Sequence, residues 1–257
     1  MRRMVWGCLV LAMAAMVGAG ATLAAEIRVM TSGGFAEAFR QIVPAYEAET
    51  GHRIVIVGGA SMGGAPDSIP SRLARGEPAD VVMLAGDALE ALVRDGRVVP
   101  GSRVDLARSI IGMVVRAGAS KPDISTVEAL TRTVREARSF AWSASASGVY
   151  LSSDLFPRLG LADAMRERGR RIESERVATV VARGDAEIGF QQVSELLPIP
   201  GVDYVGPLPE AVQRVTIFSA GVAQGSQQPD LARSLIAYAA RAEHQPVLVR
   251  LGLERPR

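Results

Sequence analysis

"RIVIVGGASMGGAPDS", residues 53–68, runs from an alternating apolar stretch into a loop holding four glycines among small and hydroxyl residues. Alternation over Arg53–Val57 is the period of a half-buried strand, and the segment after the loop, around 68–75, has the look of a helix. The same succession stands on either side. Upstream, "EIRVMTSGGF" (26–35) is a short strand entering a Ser/Gly turn, followed by apolar residues at helical spacing: Phe35, Phe39, Ile42, Val43 and Tyr46. Pro44 inside that pattern predicts a kink or a break. Downstream, "ADVVML" (79–84) reads as a continuously buried strand, and "DALEALVRDG" (87–96) as a helix closed by Gly96. Strand and helix in alternation predict an α/β fold built on mainly parallel sheets with helices on both faces.

The pattern restarts after "SIIGMVVRAG" (109–118), another strongly apolar strand. "DISTVEALTRTVREA" (123–137) carries a helix, "SFAWSASASG" (139–148) a strand with a Ser-rich loop, and "ERVATVVARGDAEIGF" (175–190) a helix and then a strand. "RVTIFSAGV" (214–222) reads as a long strand or two short ones, and the tail holds two helices parted near Gln245-Pro246. With no Pro/Ser linker between the two βα systems, they read as two lobes joined by strands that cross between them.

Residues 1–25 have the make-up of a secretory leader: positive charge in "MRRMVW", a short apolar stretch, and small residues suited to cleavage near Ala24 or Ala25. Its removal takes Arg2 and Arg3 from 29 Lys+Arg, leaving 27 against 27 Asp+Glu. A neutral mature chain gives no ground for nucleic-acid binding. Cys8, the only cysteine, leaves with the leader, so neither disulfide nor thiolate chemistry is expected in an extracytoplasmic, periplasmic protein. Two histidines (His52, His244) and one lysine (Lys121) remain, a thin supply of catalytic side chains. The expectation is therefore a protein that is not an enzyme, with no cofactor and no metal site.

Three short-side-chain loops come directly after strands: Thr31 to Gly34, Gly58 to Gly64 with Ser61, and Ser143 to Gly148. Such loops lie at the carboxyl ends of parallel strands, where helix N-termini offer unpaired N–H groups, and together they would suit an anion. The middle loop lacks the Lys-Ser/Thr of a phosphate-binding P-loop and the spacing of a dinucleotide fingerprint. No G-x-S-x-G elbow and no HExxH spacing is present, both histidines read as solvated, and Asp80 and Asp87 read as cap and loop residues.

"RGEPADVVMLAGDALEALVRDGRVV" (75–99) resembles a segment of the molybdate-binding proteins of ABC importers, periplasmic solute-binding proteins of the type II fold. The likeness continues in order through "IIGMVVRAG" (110–118), "SGVYLSSDLFPRLGL" (147–161), "VVARGDAEIGF" (180–190) and "LVRLGLERP" (248–256). It implies two hinged lobes, expected over 26–109 with 219–257 and over 110–218, that close on a small anion. It also implies an ABC permease as partner and a monomeric protein. Matched motif by motif, the ligand would be held by Ser32, Ser61, Ser147 with Gly148, and Ser174. The sequence departs from the family in two places. Phe190-Gln191-Gln192 replaces a segment ending in tyrosine, making Gln192 a candidate amide donor, and the second loop is longer, bringing Arg72 forward as a bidentate carboxylate partner. Molybdate or tungstate is the ligand the resemblance implies; a small organic polycarboxylate is the alternative, and ligand sensing the alternative role.

Overall fold

A computed structural model describes residues 24–256; the leader read at 1–25 lies almost wholly outside the described residues. The chain first lays down β1 (Glu26–Thr31), α1 (Gly33–Thr50), β2 (Arg53–Gly58), α2 (Ile69–Ala74), β3 (Val81–Ala85), α3 (Gly86–Arg94) and β4 (Val104–Ser109). It then crosses into a second lobe with β5 (Ile111–Arg116), α4 (Val127–Glu136), β6 (Phe140–Ser143), α5 (Ala146–Tyr150), α6 (Phe156–Arg158), α7 (Ala162–Arg168), β7 (Gly169–Ile172), α8 (Val177–Arg183), β8 (Ile188–Gln192), α9 (Val193–Leu196) and β9 (Val202–Pro207). It returns through β10 (Thr216–Val222), α10 (Pro229–Ala239), α11 (Gln245–Arg250) and β11 (Leu253–Glu254).

The first sheet has the order β11-β4-β10-β3-β1-β2 and the second β7-β6-β8-β5-β9. Parallel pairs join β1 to β2 and β3, and β6 to β7 and β8. The strands that carry the chain between lobes pair antiparallel: β10 with β3 and β4, and β5 with β8 and β9. Within the run 109–118, Ser109 closes β4 of the first sheet and Ile111–Arg116 forms β5 of the second, while β10 belongs whole to the first sheet from Thr216 onward.

Both sheets are covered on both faces, and period-two alternation sorts the side chains. Ile27 and Val29 pack with Phe35 and Phe39 of α1 and Leu235 of α10, whereas Met30, Val82 and Leu84 pack against Ile69 of α2 and Leu89 of α3. In the second lobe Met113, Phe140 and Phe190 share a core with Leu130 and Phe156, while Val114 and Ala141 meet Val177 and Val181 of α8. Pro44 breaks no helix: α1 runs through it, with Pro44 on the exposed side, where the carbonyl it leaves without an amide donor can face water.

At the crossing, the Gln213 side chain stands in for a missing strand partner. Its Oε1 accepts from Ile111 N–H and its Nε2 donates to Ile111 C=O, both at 2.9 Å. The same amide reaches Leu208 C=O at 3.3 Å, so one half-buried side chain holds the outgoing and returning segments together. Gln213→Ala strips Ile111 N–H of its partner and leaves Ile111 C=O with Leu208 N–H alone. It is expected to lower stability by about 1–3 kcal/mol per group left unsatisfied, measured by urea denaturation of the purified protein.

Candidate functional site

The carboxyl ends of β1, β2 and β6 face one another across the seam between lobes and open on a cleft of about 350 Å³. The first lobe contributes Thr31, Gly33, Ala36, Arg40, Gly58 to Ala60 and Asp67; the second contributes Ser143 to Ser145, Ile172 to Arg176, Gln191 and Glu195. The lobes touch around it. Ser61 N–H donates to Ser145 Oγ at 3.1 Å, and Ser194 Oγ donates to Gly34 C=O at 2.7 Å.

The N-terminus of α1 ends at this seam. Ser32 is its N-cap residue but makes no capping bond, and its Oγ, in a residue only 2% exposed, has no partner. The N–H groups of Gly33 and Gly34 likewise find no acceptor among the described residues, which leaves a row of donors at the positive end of an 18-residue helix. Anionic groups are favoured there.

Glu195 fills the space over Gly33. A Cβ at position 33 would collide with Glu195 Oε1, so the glycine is what admits the carboxyl. Glu195 sits on α9, directly after β8, and Gln191 Nε2 donates to its Oε1 at 2.9 Å. Burial pushes its pKa up from 4.5 to about 7, and the positive charge of Arg176 opposes that rise. A carboxyl poised near neutrality at a cleft wall can take or give a proton at working pH.

Arg40 and Arg176 are the cleft's cations. Arg40 is drawn to Glu37 at 3.3 Å, whereas no acidic side chain pairs with Arg176 among the described residues. Arg176 is thus a charge at the cleft wall with its donors unspent.

The residues expected from sequence scatter around this cleft. Ser174 lines it, and Ser32 lies between the lining residues Thr31 and Gly33. Ser61 does not line it, because its Oγ accepts from Ala85 N–H at 3.0 Å while its own N–H is spent on Ser145. Ser147 is buried beside Ser143 Oγ, and Gly148 is packed so tightly under the Ser143 carbonyl that no side chain fits; Ser143 and Ser145 face the cleft instead. Gln192 points away from it, donating to Thr216 Oγ1 at 2.8 Å. Arg72 stands outside the cleft: its Nη1 donates to both carboxylate oxygens of Glu77, at 2.8 and 2.9 Å, and its Nε donates to Asp67 C=O. The histidines are buried, not solvated: His52 Nδ1 accepts from Ala25 N–H, and His244 Nε2 lies 3.0 Å from Tyr238 C=O. Glu195 and Arg176 were not singled out from sequence. The available signal was an acid four residues after Gln191 in the otherwise uncharged run "IGFQQVSELLP" (188–198).

A family model described as bacterial extracellular solute-binding protein matches residues 27–254. The chain belongs to that family. The solved structure of the periplasmic molybdate-binding protein of Azotobacter vinelandii superposes on this solute-binding protein with a TM-score of 0.73, covering 90% of this chain and 100% of that one at 20% identity. It places the fold in the two-lobed, type II periplasmic binding class expected from sequence. The molybdate-binding protein ModA of the same organism is 28% identical over 193 residues, 73% of each chain. A relative from a Pseudomonas species is 47% identical over 228 residues, covering 89% of this solute-binding protein and 87% of the relative, and is named aconitate isomerase. That relative corrects the expectation of a non-enzymatic protein. The short supply of histidine, lysine and cysteine excluded too much, because a carboxyl becomes a competent acid–base group once burial has raised its pKa.

The Glu195 carboxyl also sets a pH dependence of stability. Its folded-state pKa lies above the unfolded value, so the native protein holds a proton that the unfolded chain releases between pH 4.5 and about 7, and stability falls as pH rises through that window. Glu195→Gln removes the cost of ionising a buried acid. The variant is expected to gain roughly 3 kcal/mol over the parent at pH 8 relative to their difference at pH 4. Denaturation at the two pH values measures it.

Proposed function

We propose that this solute-binding protein uses its interlobe cleft to isomerise a small polycarboxylate, with aconitate as the substrate and Glu195 as the acid–base residue. The observation that carries the reading is a buried carboxyl with a pKa near 7 set against a helix N-terminus and an arginine that no described acid pairs with, in a chain 47% identical to a protein named aconitate isomerase.

The chemistry asks for this combination. Aconitate is a propene bearing three carboxylates, and its two geometric isomers interconvert only if the double bond is transiently lost. The methylene beside a carboxylate and the alkene is its acidic position. Transfer of that proton to the Glu195 carboxylate leaves an electron pair shared along the three-carbon unit. A proton delivered to either end of that unit restores the alkene, and no electrons are gained or lost overall. Donors at the N-terminus of α1, Ser32 Oγ and the Arg176 guanidinium are suited to substrate carboxylates and to the charge that spreads onto them as the proton leaves. Ser174 and Ser145 supply neutral donors from the second lobe.

Delivery of a small bound ligand to an ABC permease is supported by the family and is compatible with catalysis. The secretory make-up of residues 1–25 and the extracytoplasmic family support a periplasmic location.

Purified protein is expected to convert cis-aconitate to trans-aconitate, followed by proton NMR, and Glu195→Gln to slow conversion by about 10²–10⁴-fold while calorimetry still detects aconitate binding. Absence of conversion by the parent protein, together with saturable binding of molybdate and none of aconitate, overturns the reading.

A further inference from the structure

We infer that Gln191 is a positioning residue: its side-chain amide, locked against the first N–H of α8, aims the Glu195 carboxyl into the cleft. The inference rests on the isomerase reading for its consequence in turnover, but its structural content is independent of the substrate.

Gln191 is buried at the end of β8, 3% exposed. Val177 N–H donates to its Oε1 at 2.9 Å. That N–H is one of the unpaired donors at the start of α8, and the N-cap residue Arg176 offers no side-chain cap, so Gln191 supplies the acceptor from another strand. An amide has one acceptor and one donor end. With the acceptor end committed to Val177, the Nε2 must face the other way, and there it donates to Glu195 Oε1 at 2.9 Å. The anchored oxygen is the one pressed over Gly33, and Oε2 has no hydrogen bond among the described residues. One oxygen is held and the other is left for chemistry. The arrangement needs glutamine in particular: leucine offers neither end, and glutamate offers the acceptor but not a neutral donor.

Charges near this pair come from several elements. Arg176 stands at the head of α8 and favours ionised Glu195. Arg40 from α1, Asp67 from the loop after β2, and Glu173 and Glu175 from the loop after β7 line the same cleft. None of them hydrogen-bonds to Glu195 among the described residues, so the one direct hydrogen-bond donor to the carboxyl is Gln191.

Two variants separate aiming from mere capping. Gln191→Leu removes both ends of the amide. Gln191→Glu keeps an acceptor for Val177 N–H and puts a second acid where the donor was. The protein is labelled with ¹³C at the glutamate side-chain carboxyl, the Glu195 resonance is assigned by its loss in Glu195→Gln, and it is titrated in each variant. In both variants the titration of Glu195 is expected to move upward by about one unit or more, since a donor that favours the charged form has gone. For aconitate conversion, the acid limb of kcat/KM is expected to move in the same direction and kcat to fall by about 10–100-fold, with KM changed much less. A Glu195 titration unchanged in both variants overturns the proposal, as does an effect confined to Gln191→Leu, which assigns Gln191 to capping α8 alone. If the parent converts no aconitate, the isomerase reading fails, and the carboxyl titration still decides whether Gln191 controls Glu195.

Discussion

Everything in the cleft depends on how the two crossing segments are held, and Gln213 holds them. Two sheets that share no strand would be free to swing about any flexible linker. Here the outgoing segment at Ile111 and the returning one before Thr216 are pinned by one side-chain amide that satisfies both backbone groups of the same residue. Hydrogen-bonded crossings of this sort confine relative motion to a hinge, and a hinge brings the same loops together each time the lobes close. The hydrogen bonds of Ser61 with Ser145 and of Ser194 with Gly34 join the two lobes beside the cleft.

The fold provides an interlobe cleft with the N-terminus of α1 at its wall, an arrangement equally suited to holding an anion and to stabilising charge that develops on one. What separates holding from transforming is a group that can exchange a proton. In the reading proposed above, the group is the Glu195 carboxyl, which burial moves from its ordinary range to about 7. Arg176 tempers that rise from the next helix, and the balance between desolvation and the nearby positive charge leaves the acid usable in both of its states.

Much of the architecture was legible because it is written locally. Period-two alternation in "RIVIV" (53–57), the Ser/Gly turn after β1 and Gly96 after α3 each dictate structure within a few residues. Arg72 illustrates the limit of that reading: its type suggested a ligand clamp, yet its Nη1 is paired with Glu77, five positions on, across the intervening turn. Ser61 and Ser147 were right in type, but one hydroxyl is consumed by a backbone N–H of the neighbouring loop and the other faces Ser143. Glu195 was illegible for a different reason. Its one local signal is that it is the only charge in the run 188–198; the glycine that admits its carboxyl lies more than 160 positions earlier, on the other lobe.

That distance has a consequence for how the protein can change. Glu195 is carried by one lobe, but the place it occupies is a missing side chain on the other, so the acid and its vacancy are inherited as two separate codons that make sense only together. A Cβ at 33 would collide with Glu195 Oε1 and force that carboxyl to shift. Substitutions at the two positions therefore cannot contribute independently to fitness.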